Sequence, residues 1–150
     1  MKLIGTPAYR LTADCIWSSF QSSGKRHLFL TGGRGSGKTT LLNALFPEMK
    51  QGLTTWAEPK KAVYLRENMS GESMQVGTYD ASLPGPGNQM VLLQDGFANL
   101  GVPALARCMA AESPWITIDE IGYLEAQSVS YHEALRQLLD KKQVAAVIRK

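Results

Sequence analysis

The sequence predicts an α/β fold, a mostly parallel sheet with helices on both faces. Three short apolar runs point to it. Residues 26–31 stop at a glycine cluster, Trp115-Ile-Thr-Ile118 leads directly into Asp119 and Glu120, and residues 144–148 form a third run. Continuous apolar runs of this length, bounded by turn residues or charge, suit strands buried on both faces of a parallel sheet.

The chain has 150 residues, of which 44% are hydrophobic and 19% charged, enough for one domain with a real core. Sixteen basic residues against 13 acidic ones leave a formal charge of +3, too mild to argue for nucleic acid. No basic aromatic patch adds to that argument. Cys15 and Cys108 are far apart and match no metal or redox spacing, so they read as reduced thiols. No apolar run approaches the roughly 20 residues that cross a bilayer. Polar residues interrupt any signal-like stretch near Lys2. These features exclude membrane spans, disulfide scaffolds and repeat arrays, and they predict a cytoplasmic setting.

Residues 1–25 read as an N-terminal extension with a short helix near 13–20, and 26–150 as the main domain. After the first strand, residues 38–46 have helical composition and meet Pro47. Short strands are predicted at 52–57, 62–66, 74–79 and 90–93, with turns at 58–59 and 68–72. The two prolines and two glycines of 83–88 make a loop. Asp95 is a candidate cap for a helical turn over 96–100. Pro103 suits the first turn of a helix reaching about residue 111. Ser130 and Glu133 have capping-box spacing, with Val129 and Ala134 placed as a staple. Leu135, Leu138 and Leu139 share one helical face.

The segment Gly32-Gly33-Arg34-Gly35-Ser36-Gly37-Lys38-Thr39 fits G-x-x-x-x-G-K-[ST] in full, between a strand and a helix. Glycines permit the tight wrap, and successive N–H groups form an anion nest at the positive end of the following helix. Lys38 supplies a point charge for β- and γ-phosphates, the Thr39 hydroxyl is the expected Mg²⁺ ligand, and Thr40 is a candidate α-phosphate contact. Arg34 is expected to point to solvent.

Asp119 and Glu120 follow an apolar strand, which paired with this loop reads as a Walker B motif. Asp119 would hold Mg²⁺, and Glu120 would orient and polarise an attacking water. Both motifs should meet outside the strands' C-terminal ends. Asp119-Glu-Ile-Gly122 also fits the D-x-x-G switch of regulatory GTPases, but no N-K-x-D base-reading motif follows. Met69-Ser-Gly-Glu-Ser73 only faintly suggests a transporter signature and reads as a turn.

Together these motifs resemble the thermophilic-type, cancer-related nucleoside-triphosphatase family of P-loop proteins. The resemblance rests on residues 31–41, on Ile118-Asp-Glu-Ile-Gly-Tyr-Leu-Glu125, on Gly52-Leu-Thr-Thr55 and on Val76-Gly-Thr-Tyr79. It implies a P-loop NTPase fold of the additional-strand, catalytic-glutamate type, with the run at 144–148 as the inserted strand. Arg149 or Lys150 would then lie near the γ-phosphate. It further implies slow, Mg²⁺-dependent hydrolysis of ATP, GTP or other nucleoside triphosphates to diphosphate and phosphate, with loose base preference. Leu124 replaces the family's methionine, and Trp56-Ala-Glu-Pro59 replaces an acidic, arginine-bearing stretch, leaving Arg66 nearby. The family also continues past the position of Ile148 with a further strand and helix.

Weaker candidates remain. Arg66 and Arg107 are possible charge stabilisers, although each also suits the surface. His27 and His132 share no ligand spacing. Trp17, Trp56 and Trp115 read as packing residues, with Tyr9 or Trp17 as remote candidates for base stacking. Two other classes stay open: a kinase for a small molecule, whose lid could only be the 80–90 loop, and a nucleotide-dependent accessory factor for a protein partner.

Overall fold

The computed structural model describes residues 7–32, 37–47, 51–84 and 89–149, with side chains from residue 12 onward within them. An N-terminal helix α1 (Pro7–Ser23) leads into strand β1 (Leu28–Gly32), followed by helix α2 (Lys38–Leu45). Four strands come next, β2 (Gly52–Glu58), β3 (Ala62–Glu67), β4 (Ser73–Tyr79) and β5 (Met90–Leu92). A helical turn α3 (Gln94–Gly96) runs through a π-helical turn at Phe97–Gly101 into α4 (Val102–Ala110). Strand β6 (Trp115–Ile121), helices α5 (Tyr123–Gln127) and α6 (Val129–Lys141), and strand β7 (Gln143–Arg149) complete the described chain.

All seven strands form one sheet in the order β1-β7-β6-β2-β3-β4-β5. The first four are mutually parallel, as the apolar runs predict, and β7 lies between β1 and β6, the place expected of the inserted strand. From β2 onward the strands form an antiparallel meander. The three residues joining β2 to β3 are too few for a crossover, which needs a dozen or more. Lys60, at φ 57°, supplies the left-handed step of that turn.

Helices cover both faces. Alternation along β7 sends Val144 and Ala146 into one core cluster and Ala145 and Val147 into the other. The larger cluster joins the sheet to α4, α6 and the π turn through Phe97, Leu105, Tyr131 and Leu138. The smaller lies under α1 and α2. Its edge is aromatic: Trp115 sits with ring centroids 5.1 Å from Phe46, 5.6 Å from Phe20 and 5.8 Å from Trp17. Trp17 is therefore a packing residue, and its place beside the first residue of β6 puts it at the opposite end of the strands from Asp119. The side chain of Tyr9 falls outside the described residues.

Several local expectations need correction. Helix α1 extends well beyond 13–20 at both ends. Asp95 lies in the first turn of its helix rather than at the cap, which is Leu93 without a side-chain bond. The π turn precedes Pro103, whose missing N–H interrupts the ordinary ladder there. Ser128, not Ser130, caps α6 by accepting from the Tyr131 N–H at 3.4 Å. Ser130 is instead bonded to Gln94, and Val129 is 81% exposed, so no staple forms. His27 accepts the Val144 N–H through Nδ1 at 3.1 Å, a structural role at the start of β7, while His132 is exposed.

Gly52 is required by close approach. A Cβ there would lie 2.0 Å from the Thr117 carbonyl oxygen on β6. Gly52→Ala is expected to force β2 away from β6 and destabilise the fold by more than about 2 kcal/mol, measured as a lowered denaturation midpoint.

Candidate active site

Helix α2 begins at Gly37, whose φ of 88° is a left-handed conformation that glycine adopts without a Cβ penalty. The Gly37 carbonyl accepts the Leu41 N–H at 2.9 Å, so the helix starts with Lys38 and Thr39 on its first turn. Lys38 Nζ donates to the carbonyl of Gly32, the last residue of β1, at 2.7 Å. The ammonium thus lies across the mouth of the loop that joins the two elements.

On β6, period-two alternation turns Ile116 and Ile118 into the larger core and Trp115 toward α1 and α2. Asp119 shares the face of Trp115, and the Thr39 side chain adjoins its carboxylate in the crevice. Burial raises the Asp119 carboxyl above its ordinary value, with the neighbouring Thr39 hydroxyl and the Lys38 charge acting against that rise. Next to it the β6–β7 register slips. Asp119 pairs with Val147 and Ile121 with Ile148, leaving Glu120 as the extra residue of a bulge.

These groups line one crevice of about 880 Å³. Gly32, Gly37, Lys38, Thr39 and Thr40 form one wall, Asp119 and Glu120 the floor, and Thr54, Thr55 and Trp56 of β2 the far wall, with Glu125 and Arg149 at the rim. The crevice lies at the C-terminal ends of β1, β7 and β6, where an open parallel sheet binds ligands. Gly33, Arg34, Gly35 and Ser36 lie outside the described residues, as does Lys150.

A family model described as NTPase matches residues 27–150. The chain belongs to this NTPase family. The crystal structure of THEP1 from the hyperthermophile Aquifex aeolicus has the same fold, with a TM-score of 0.62 and 23% identity over 82% of this chain and 76% of that one. A search of curated proteins finds no match. The P-loop α/β reading of the sequence, and its resemblance to this family, are thereby established.

In this NTPase-family chain the candidate arginines separate clearly. Arg107 grips Glu67 with both ends of its guanidinium, Nε to Oε2 at 2.7 Å and Nη2 to Oε1 at 2.9 Å, and neither residue lines the crevice. Arg66 packs over the outer side of Trp56, with its Cζ 5.8 Å from the ring centroid, and also stays outside. Arg149 is the arginine among the described crevice residues, with its Cζ 5.9 Å from the Tyr123 ring centroid. It stands at the end of β7, the inserted strand. Glu125 was quoted in the motif but given no task by sequence reasoning, yet it is 3% exposed at the crevice rim. The β2 residue that it meets in the crevice, Thr55, lies 70 positions away, so no local pattern announces it.

Several further expectations concern the surroundings. A turn at residues 68–70 begins the Met69-to-Ser73 segment, with the Ser70 hydroxyl donating to Glu67 at 2.8 Å, and Ser73 already opens β4. Residues 85–88 of the candidate lid fall outside the described residues. Both cysteines are free thiols, and burial pushes Cys108 up to about 11. Among the described residues no helix is long and apolar enough to cross a membrane.

The Arg107 bond holds the Glu67 carboxyl below its ordinary value. A depressed folded-state value stabilises the protein above the unfolded value and ceases to do so as pH falls through the folded one. Arg107→Ala is expected to cost about 1 kcal/mol near neutral pH and progressively less on acidification below the ordinary carboxylate range. Denaturant melts across that range check this, and nucleotide affinity should stay unchanged.

Proposed function

We propose that the chain binds a nucleoside triphosphate with Mg²⁺ in this crevice and hydrolyses it to diphosphate and phosphate, slowly and with loose base preference. The observation that carries the reading is the convergence of Lys38, Thr39, Asp119 and Glu120 on one crevice. It brings together the first turn of the phosphate-binding helix and the end of the acidic strand. A hydroxyl and a carboxylate offer hard oxygen donors, and Mg²⁺ characteristically takes one or two such protein ligands while phosphates and waters complete its shell. Thr39 and Asp119 would hold the ion, which supplies charge neutralisation on the β- and γ-phosphates.

In this reading the loop from Gly32 through Gly33, Arg34, Gly35, Ser36 and Gly37, with Thr40, holds the polyphosphate by its main chain and hydroxyl. Lys38 leaves its resting bond to the Gly32 carbonyl to meet the β- and γ-phosphates. Glu120 orients a water and accepts its proton as the water oxygen attacks the γ-phosphorus. The bond from phosphorus to the β–γ bridging oxygen breaks, and that oxygen leaves on the diphosphate. Arg149, at the rim, meets the charge that accumulates on the transferring group. A cytoplasmic location goes with this reading, because its substrates are held there.

Phosphate release with ATP, GTP, CTP and UTP in the presence of Mg²⁺ tests it. Several nucleotides should be turned over, and Glu120→Gln should lower kcat by about two to four orders of magnitude while binding persists. Lys38→Ala should weaken triphosphate binding by about tenfold or more. Trp56 lines the crevice and is 39% exposed, so its emission reports occupancy, and Trp56→Phe should remove the signal. Binding without turnover in the wild type would favour the accessory-factor reading. Turnover only with an added small-molecule acceptor would favour a kinase.

A further inference from the structure

We propose that Glu125 is a positioning residue that sets the orientation of Glu120. The inference rests on the hydrolase reading above and adds a residue to it. Glu120 is the bulged residue of β6, so the sheet ladder holds its neighbours Asp119 and Ile121 but leaves Glu120 itself unpaired. Its aim therefore depends on how the chain is held just beyond the strand. The hold is supplied by Glu125. Its Oε2 accepts the Gly122 N–H at 2.8 Å, two residues past Glu120.

Glu125 also meets a separate element. Thr55 of β2 adjoins its carboxylate, which lies within electrostatic reach of Glu120. The residue is 3% exposed, and burial raises its carboxyl above the ordinary value. Burying a carboxylate is costly unless it is bonded, so its retention beside a crevice asks for a task. The bond to the β6 exit, made by a side chain wedged against β2, holds the segment that carries Glu120.

Glutamine keeps the attachment, because its carbonyl can accept from the Gly122 N–H. Alanine removes it. The test compares Glu125→Gln and Glu125→Ala for single-turnover phosphate release and for magnesium-nucleotide affinity, each in wild-type and Glu120→Gln backgrounds. Glu125→Gln should stay within about threefold of wild-type turnover. Glu125→Ala should lose about tenfold or more in turnover, with affinity unchanged within about threefold. In the Glu120→Gln background the alanine should add less than about twofold, because a residue acting through Glu120 has nothing left to position.

Wild-type turnover by Glu125→Ala, an equal loss in both backgrounds, or a glutamine as impaired as alanine would each overturn the proposal while leaving the hydrolase reading intact. A wild-type chain that binds nucleotide and releases no phosphate overturns both. Should the alanine variant fail to fold, Glu125→Leu keeps much of the volume and removes the Gly122 bond. It should lower turnover by about tenfold with affinity unchanged, and unchanged turnover would overturn the proposal.

Discussion

The crevice exists because β7 is inserted between β1 and β6. Neighbouring strands lie about 4.8 Å apart, so the insertion sets the ends of β1 and β6 about 10 Å from each other. Across that gap the first turn of α2 and the end of β6 bring Thr39 and Asp119 into the same crevice. The insertion demands a strand buried on both faces, and β7 answers with valines and alanines from 144 to 147, all at most 1% exposed. Small side chains let α2 and α6 close on the strand from opposite sides. The spacing of the site is thus a packing property of four residues that do not line it.

Much of this was legible in the chain itself. Glycine followed by lysine and threonine after an apolar run is chemistry packed into a few neighbours, and a strand that ends in two acids is equally local. The inserted strand could be read because its apolar run has no room to be anything else. What could not be read depends on partners distant in sequence. The bond to Glu67 removes Arg107 from the site across 40 positions, and Glu125 meets Thr55 across 70. Ser130 has the residue type and spacing of a cap, but the chain enters α6 two residues earlier. There the buried Ser128 accepts the backbone bond, and the apparent staple residue Val129 faces solvent.

The short motif Asp119-Glu-Ile-Gly122 shows how one pattern can carry different work. In a D-x-x-G switch the glycine would answer to a γ-phosphate. Here the Gly122 N–H is occupied by Glu125 and opens a short helix. The far side of the sheet meets a different need. The β2–β5 meander forms the wall that carries Thr54, Thr55 and Trp56, and it widens the crevice on the side away from the phosphate loop. Strand β2 thus belongs to both parts of the sheet, parallel to β6 and antiparallel to β3, and lines the crevice opposite α2.

The aromatic cluster of Trp17, Phe20, Phe46 and Trp115 has a mechanical consequence. Phe46 ends the helix that begins at Lys38, and Trp115 begins the strand that reaches Asp119, so the remote ends of both arms are pinned at one point under α1. The helix and strand act like the two legs of a compass with its joint at the base of the molecule. The N-terminal helix covers that joint: through Trp17 and Phe20 it touches the base of the helix that carries Thr39 and of the strand that carries Asp119.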